Sequence, residues 1–124
     1  MTTGRRIAIV GLEKHLAQLI CFALSIRRVY RSAGYYRVRI APRGSTYDDV
    51  VICSTDHVEE SLMKSPVARV VEITRKNQYS IAHYLVKIHS GTGFMEELIE
   101  KVQMAARRKR GPKKRIEPRK EIAA

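Results

Sequence analysis

The sequence predicts an α/β fold, and three observations carry that prediction. Ile7-Ala8-Ile9-Val10 is a short unbroken apolar run that stops at Gly11, the pattern of a buried strand. From Leu12 the apolar period changes to three and four residues, which is helical. Beyond Gly34 it returns to strict alternation, which is that of a half-buried strand. Strand and helix patterns therefore alternate along a chain of 124 residues, a length that suits one domain with one modest core.

Each element follows in order. The first strand is the run ending at Val10. The first helix presents Leu16, Leu19, Ile20, Ala23, Leu24 and Ile26 on one face. Arg27, Arg28 and Arg31 stand in its last turns, where the negative end of the helix dipole favours them, and Gly34 ends it. In the second strand, Tyr35 to Ala41, the residues Tyr36, Val38 and Ile40 face one way and Arg37 and Arg39 the other. Pro42 and Gly44 break it.

Ser45 or Thr46, with Asp48 and Asp49 three residues on, reads as the capped start of a second helix. Val50, Cys53, Val58 and Leu62 form its apolar face, and Pro66 closes it. Val67 to Arg75 and Tyr79 to His89 read as two strands of a β-hairpin with Lys76, Asn77 and Gln78 at its tip. Gly91-Thr92-Gly93 precedes a last helix with Glu96 and Glu97 in its first turn and Leu98, Val102 and Ala105 or Ala106 along its stripe. The expected order is β-α-β-α-β-β plus a C-terminal helix and a tail, divided as a folded body at 1–106 and a basic tail at 107–124.

Charge identifies the kind of partner. The chain has 24 Lys and Arg against 12 Asp and Glu, net +12. The tail holds nine basic and two acidic residues, net +7, leaving 15 and 10, net +5, for the body. Its cations Arg107, Arg108, Lys109, Arg110, Lys113, Lys114, Arg115, Arg119 and Lys120 surround Gly111, Pro112 and Pro118, which break helices. With so few apolar residues the tail cannot bury enough surface to fold alone. A polyanion is the expected partner, and phosphate binding by the tail is favoured over a merely solubilising charge run.

The chemistry-bearing residues are sparse. His15, His57, His83 and His89 lack metal-ligand spacing, and no glycine-rich phosphate loop or nucleophile elbow is present, so neither cofactor nor metal is implied and an enzyme is disfavoured. Cys53 and His57 would share a helix face, a spacing that packing explains more simply than catalysis. Asp48 and Asp49 would suit a metal-dependent nuclease but are explained by helix capping. Tyr35, Tyr36, Tyr47, Tyr79 and Tyr84 are candidates for base stacking, with Tyr36 and one of Tyr79 or Tyr84 assigned to the core by alternation. Cys21 and Cys53 read as free, buried thiols of an intracellular, cytoplasmic protein. The longest apolar run, Leu16 to Ile26, is too short to span a bilayer, so no membrane partner is expected. The N-terminus leads straight into a strand, with no apolar targeting segment.

With Val10-Gly11 closing the first strand and Ala41-Pro42-Arg43-Gly44 between the second strand and the next helix, the chain resembles the Alba family of archaeal nucleic-acid-binding proteins. Gly11-Leu12-Glu13-Lys14 and Pro42-Arg43-Gly44-Ser45 stand at that family's two characteristic turns. Leu12-Glu13 replaces its usual basic pair, and Asp48 and Asp49 stand where a lysine is more frequent. The resemblance covers roughly residues 6 to 89. It implies a two-layer α/β sandwich that forms homodimers and binds DNA or RNA along the sheet edge, the first turn and the hairpin. On that basis Lys14, Arg43 and Gly44 lie at phosphates, and Arg75, Lys76 and Asn77 reach a groove. Arg37 and Arg39 add a basic strand face. The tail resembles the extensions that ribosomal proteins send into folded RNA. The expected function is therefore RNA binding within a ribonucleoprotein such as the ribosome, alongside other subunits, with a chromatin protein on duplex DNA as the alternative.

Overall fold

A computed structural model describes residues 6–29, 34–76, 79–88 and 93–107. In chain order the elements are β1 (Arg6–Val10), α1 (Lys14–Ser25), β2 (Arg37–Ala41), β3 (Val50–Ser54), a 3-10 turn (Thr55–His57), α2 (Val58–Lys64), β4 (Arg69–Thr74), β5 (Tyr84–Lys87) and α3 (Phe94–Arg107). The five strands form one sheet in the order β2-β1-β3-β4-β5, and every neighbouring pair is parallel.

Parallel strands need a crossover between them, and right-handed crossovers place leftward and rightward connections on opposite faces. The residues are distributed accordingly. Ile7, Ile9, Val50, Ile52, Val71, Ile73 and Val86 pack with Ala17, Ile20 and Leu24 of α1 and Leu98 and Val102 of α3. Ala8, Val10, Val51, Cys53 and Val70 pack on the other side with Val58 at the start of α2 and with Ala68. The α/β class holds, but helices cover both faces, so the molecule has three layers where two were expected.

Two further expectations are corrected. The residues at 50–54 form the central strand β3, not a helix. Val50-Val51-Ile52 are consecutive β-branched residues, stiff at χ1 and suited to a pleated surface. Burial of all four of Val50 to Cys53 leaves no solvent face to reveal an alternation. Helix α2 starts only at Val58 and has seven residues. The hairpin is also absent, because β4 and β5 are parallel with Val71 opposite Tyr84 and Thr74 opposite Lys87. The connecting chain returns across the α2 face: Ala82 packs on that cluster, and the His83 ring nitrogen Nδ1 accepts from the Val70 amide at 2.9 Å. Asn77 lies outside the described residues.

Helix α1 stops at Ser25, about two turns before Gly34, where it was expected to end. Arg27 and Arg28 follow it in an irregular segment, where Arg28 bridges to Tyr35, and Arg31 is not among the described residues. Helix α3 matches its sequence pattern, and strand β2 does so in part: Tyr36 and Val38 join the core as expected, but Ile40 is 52% exposed. In α3 the stripe of Leu98, Val102, Ala105 and Ala106 is buried, and Glu96 and Glu97 stand in its first turn.

Candidate nucleic-acid interface

Strand β2 is an edge strand, and its pairing register builds the cationic surface. Arg6 stands opposite Arg37, and Ala8 opposite Arg39. Ala8 faces the α2 side of the sheet, so Arg6, Arg37 and Arg39 share that side. Val38 points the other way and packs under α1. A groove of about 160 Å³ along this edge is lined by Arg6, Arg37, Val38, Arg39 and Asp48.

The chain at 42–49 crosses this face, and two acids hold it there. Asp48 is only 2% exposed and accepts from Arg39 Nη2 at 2.7 Å, from the Ser45 amide at 2.7 Å and from the Ser45 hydroxyl at 3.2 Å. A carboxylate this deep requires partners, and these three supply them. Asp49 accepts from the Arg6 amide at 2.9 Å, while its own backbone joins Arg6 and Arg69. Both carboxylates thus fasten the crossing segment; they cap no helix. Among the described residues no group of three or more His, Cys, Asp or Glu is placed to hold a metal ion.

Four further cations stand together at the carboxyl end of the sheet. Lys14 begins α1 just beyond β1, and Arg43 follows β2, so both stand at the carboxyl end of the parallel strands and are exposed. Arg75 and Lys76 follow β4 at the same end. They line a second crevice of about 320 Å³ with Ser54, Thr55, Asp56, Ile73 and Thr74. Gly44 has a packing role, since an added Cβ would lie 2.7 Å from Ser65 Oγ and 3.1 Å from Val51 Cγ2. Arg107 closes α3, and Arg108, Lys109, Arg110, Lys113, Lys114, Arg115 and Arg119 lie outside the described residues.

Aromatic placement separates the tyrosines. Tyr36 is buried and Tyr84 half-buried, whereas Tyr79 is exposed. Tyr35, two residues before Arg37, is exposed with the Arg28 guanidinium 5.7 Å from its ring centre, and Tyr47 is exposed in the crossing segment beside Asp48.

Side chains with catalytic potential are held in structural contacts. Cys53 lies in β3 and not on a helix with His57. Burial pushes its thiol up to about 11, opposed by a hydrogen bond from Ser61 and reinforced by the nearby Glu72 carboxylate. The His57 ring meets Ser54 Oγ at 3.1 Å and sits against Gly11, whose φ is +73°. Glu72 is buried and accepts from the Thr55 hydroxyl at 2.6 Å and from the Ser80 hydroxyl. Both cysteines are free.

Sequence reasoning missed Arg6, which joins the groove only through the parallel pairing of β1 with β2. The signal was its position at the head of the first apolar run, in line with Arg37 once the strands are paired. Among the described residues no helix is long and apolar enough to cross a membrane. No protein-family model matches the chain, and no curated protein is similar to it.

Proposed function

We propose that the chain binds nucleic acid, RNA in preference to DNA, as a structural component of a ribonucleoprotein. The observation that carries this reading is the convergence of Arg6, Arg37 and Arg39 on one exposed sheet edge. Arg43 continues the line beyond β2. Alternate residues on a strand are about 6.6 Å apart, so an extended polyanion lying along β2 passes Arg37 and then Arg39, whose guanidinium is shared with Asp48. Arginine suits the task because its planar fork gives a phosphate two parallel hydrogen bonds. Exposed Tyr35 and Tyr47 beside this edge favour a partner with accessible bases, which is a property of single-stranded and looped RNA. The basic tail supplies a second, sequence-independent contact with phosphates.

Gradient sedimentation of tagged full-length chain with cell extract tests the reading. Co-sedimentation with large particles that collapses on ribonuclease treatment, and not on deoxyribonuclease treatment, is the expected result. Collapse only with deoxyribonuclease favours a chromatin protein, and migration as free protein in both arms overturns nucleic-acid binding.

A further inference from the structure

Helix α1 has two apolar faces, although only one of them meets the sheet. Ala17, Ile20 and Leu24 are buried beneath it, with Leu16, Cys21 and Ala23 packed alongside. On the opposite side lie Leu19 and Phe22, followed by Ile26 at the C-cap; they are 56%, 67% and 60% exposed. With exposed His15 before them these residues are spaced four, three and four apart. At 100° per residue they fall within one narrow stripe diametrically opposite the core. A globular surface helix normally turns charged residues to solvent there. Here the residues beside the stripe are Gln18 and Ser25 on one flank and Ala23 on the other.

The alternation of four and three residues is the seam by which one helix packs into another, each apolar side chain entering a hole on its neighbour. The charge around it selects the partner. Next to α1 the described chain has three cations, Lys14, Arg27 and Arg28, and one acid, Glu13. Glu13 is engaged at the α1 N-terminus, accepting from the His15 and Leu16 amides. Lys14 precedes the seam and Arg27 and Arg28 follow it. A second copy of this chain would bring the same cationic surroundings to the contact. The tail at 107–124, net +7 with only Ile116 and Ile122 as large apolar residues, has the wrong sign and too little apolar surface.

We infer that the outer face of α1 docks an amphipathic helix of a partner protein, with an apolar seam flanked by acidic residues. This surface is separate from the arginine edge, which faces the other side of the sheet, and the inference stands without the nucleic-acid reading. Leu19 and Phe22 enter the seam of the partner. Lys14 and Arg27, at the two ends of the stripe, meet its acids and set its orientation.

The test uses the full-length chain and two synthetic helices, one with Leu along its seam and Glu at the flanking positions, the other with Lys in place of Glu. Fluorescence anisotropy should show binding of the Glu helix and little of the Lys helix. Leu19→Gln with Phe22→Gln should weaken binding of the Glu helix at least about tenfold, with an unchanged circular-dichroism spectrum because both side chains are exposed. Lys14→Glu with Arg27→Glu, which leaves the seam intact, should weaken it as well. Equal affinity for the two helices, or binding untouched by either pair of substitutions, overturns the inference. So does a chain that sediments as a dimer at micromolar concentration and becomes monomeric in the Leu19→Gln/Phe22→Gln variant, which assigns the face to a second copy. A matching loss of RNA affinity in that variant would assign it to nucleic acid instead.

Discussion

Asp48 illustrates how a buried charge organises an exposed site. Its carboxylate takes the Ser45 amide and hydroxyl on the inside and one Arg39 nitrogen on the outside, so the crossing segment and the edge strand are tied through a single group. Arg39 is 46% exposed, and solvent screens its part of the pairing. Asp48→Ala, which removes the acceptor for three donors, should cost about 1–3 kcal/mol. Arg39→Ala, which leaves two of those donors in place, should cost about 1 kcal/mol or less. Urea denaturation of the two variants measures the difference; equal destabilisation would mean that the ion pair, and not the Ser45 contacts, holds the segment.

At the scale of elements, helix α1 depends on a cap of its own. The carboxylate of Glu13 accepts from the His15 and Leu16 amides, and these two bonds, assisted by the His15 ring, hold its pKa below the usual carboxylate range. A group whose pKa is lowered by folding stabilises fully above its unfolded value and loses that contribution as pH falls through the folded one. The melting temperature should therefore decline on acidification below the ordinary carboxylate range. Glu13→Gln should melt lower at neutral pH and show a shallower decline. A parallel pH profile for the two proteins would place the effect elsewhere.

The elements also show what is legible in a sequence. Strand β1, the inner face of α1 and the stripe of α3 each have a pattern that matches their burial, and in β2 the match holds at Val38 but not at Ile40. At β3 the same reasoning fails, because a strand buried on both faces has no alternation to show, and Val50 with Cys53 imitates helical spacing. Strand β4 is buried at every position, including Arg69, Glu72 and Thr74. Polar residues there look like an exposed strand face, while Lys76-Asn77-Gln78 look like a tight turn. Those two cues imitate a hairpin, and no local signal reports that the chain crosses back over the sheet.

For the whole molecule, the parallel sheet decides which cations act together. Arg6 and Arg37 are 31 positions apart in the chain and become neighbours because β1 and β2 run the same way in register. Lys14, Arg43, Arg75 and Lys76 gather at the opposite, carboxyl end, so the body offers cations at both ends of its strands. The arginine edge was half visible in the sequence, through the alternation of Arg37 and Arg39, and its third member was not. The expectation of phosphate contacts by the tail rests on its charge density alone.

The central claim is that the β2 edge contacts phosphates, and a salt titration of RNA binding tests it most directly. Full-length chain and the Arg6→Gln/Arg37→Gln variant would be titrated with a labelled single-stranded RNA over a range of salt. Removing one phosphate neutralisation lowers the slope of log K against log salt by about 0.7 for a single strand. The variant is predicted to bind more weakly, with a slope shallower by about 1.4 because two phosphates go without their arginines. An unchanged affinity and slope would contradict the account and assign the attraction to the tail or to the cations at the carboxyl end of the sheet.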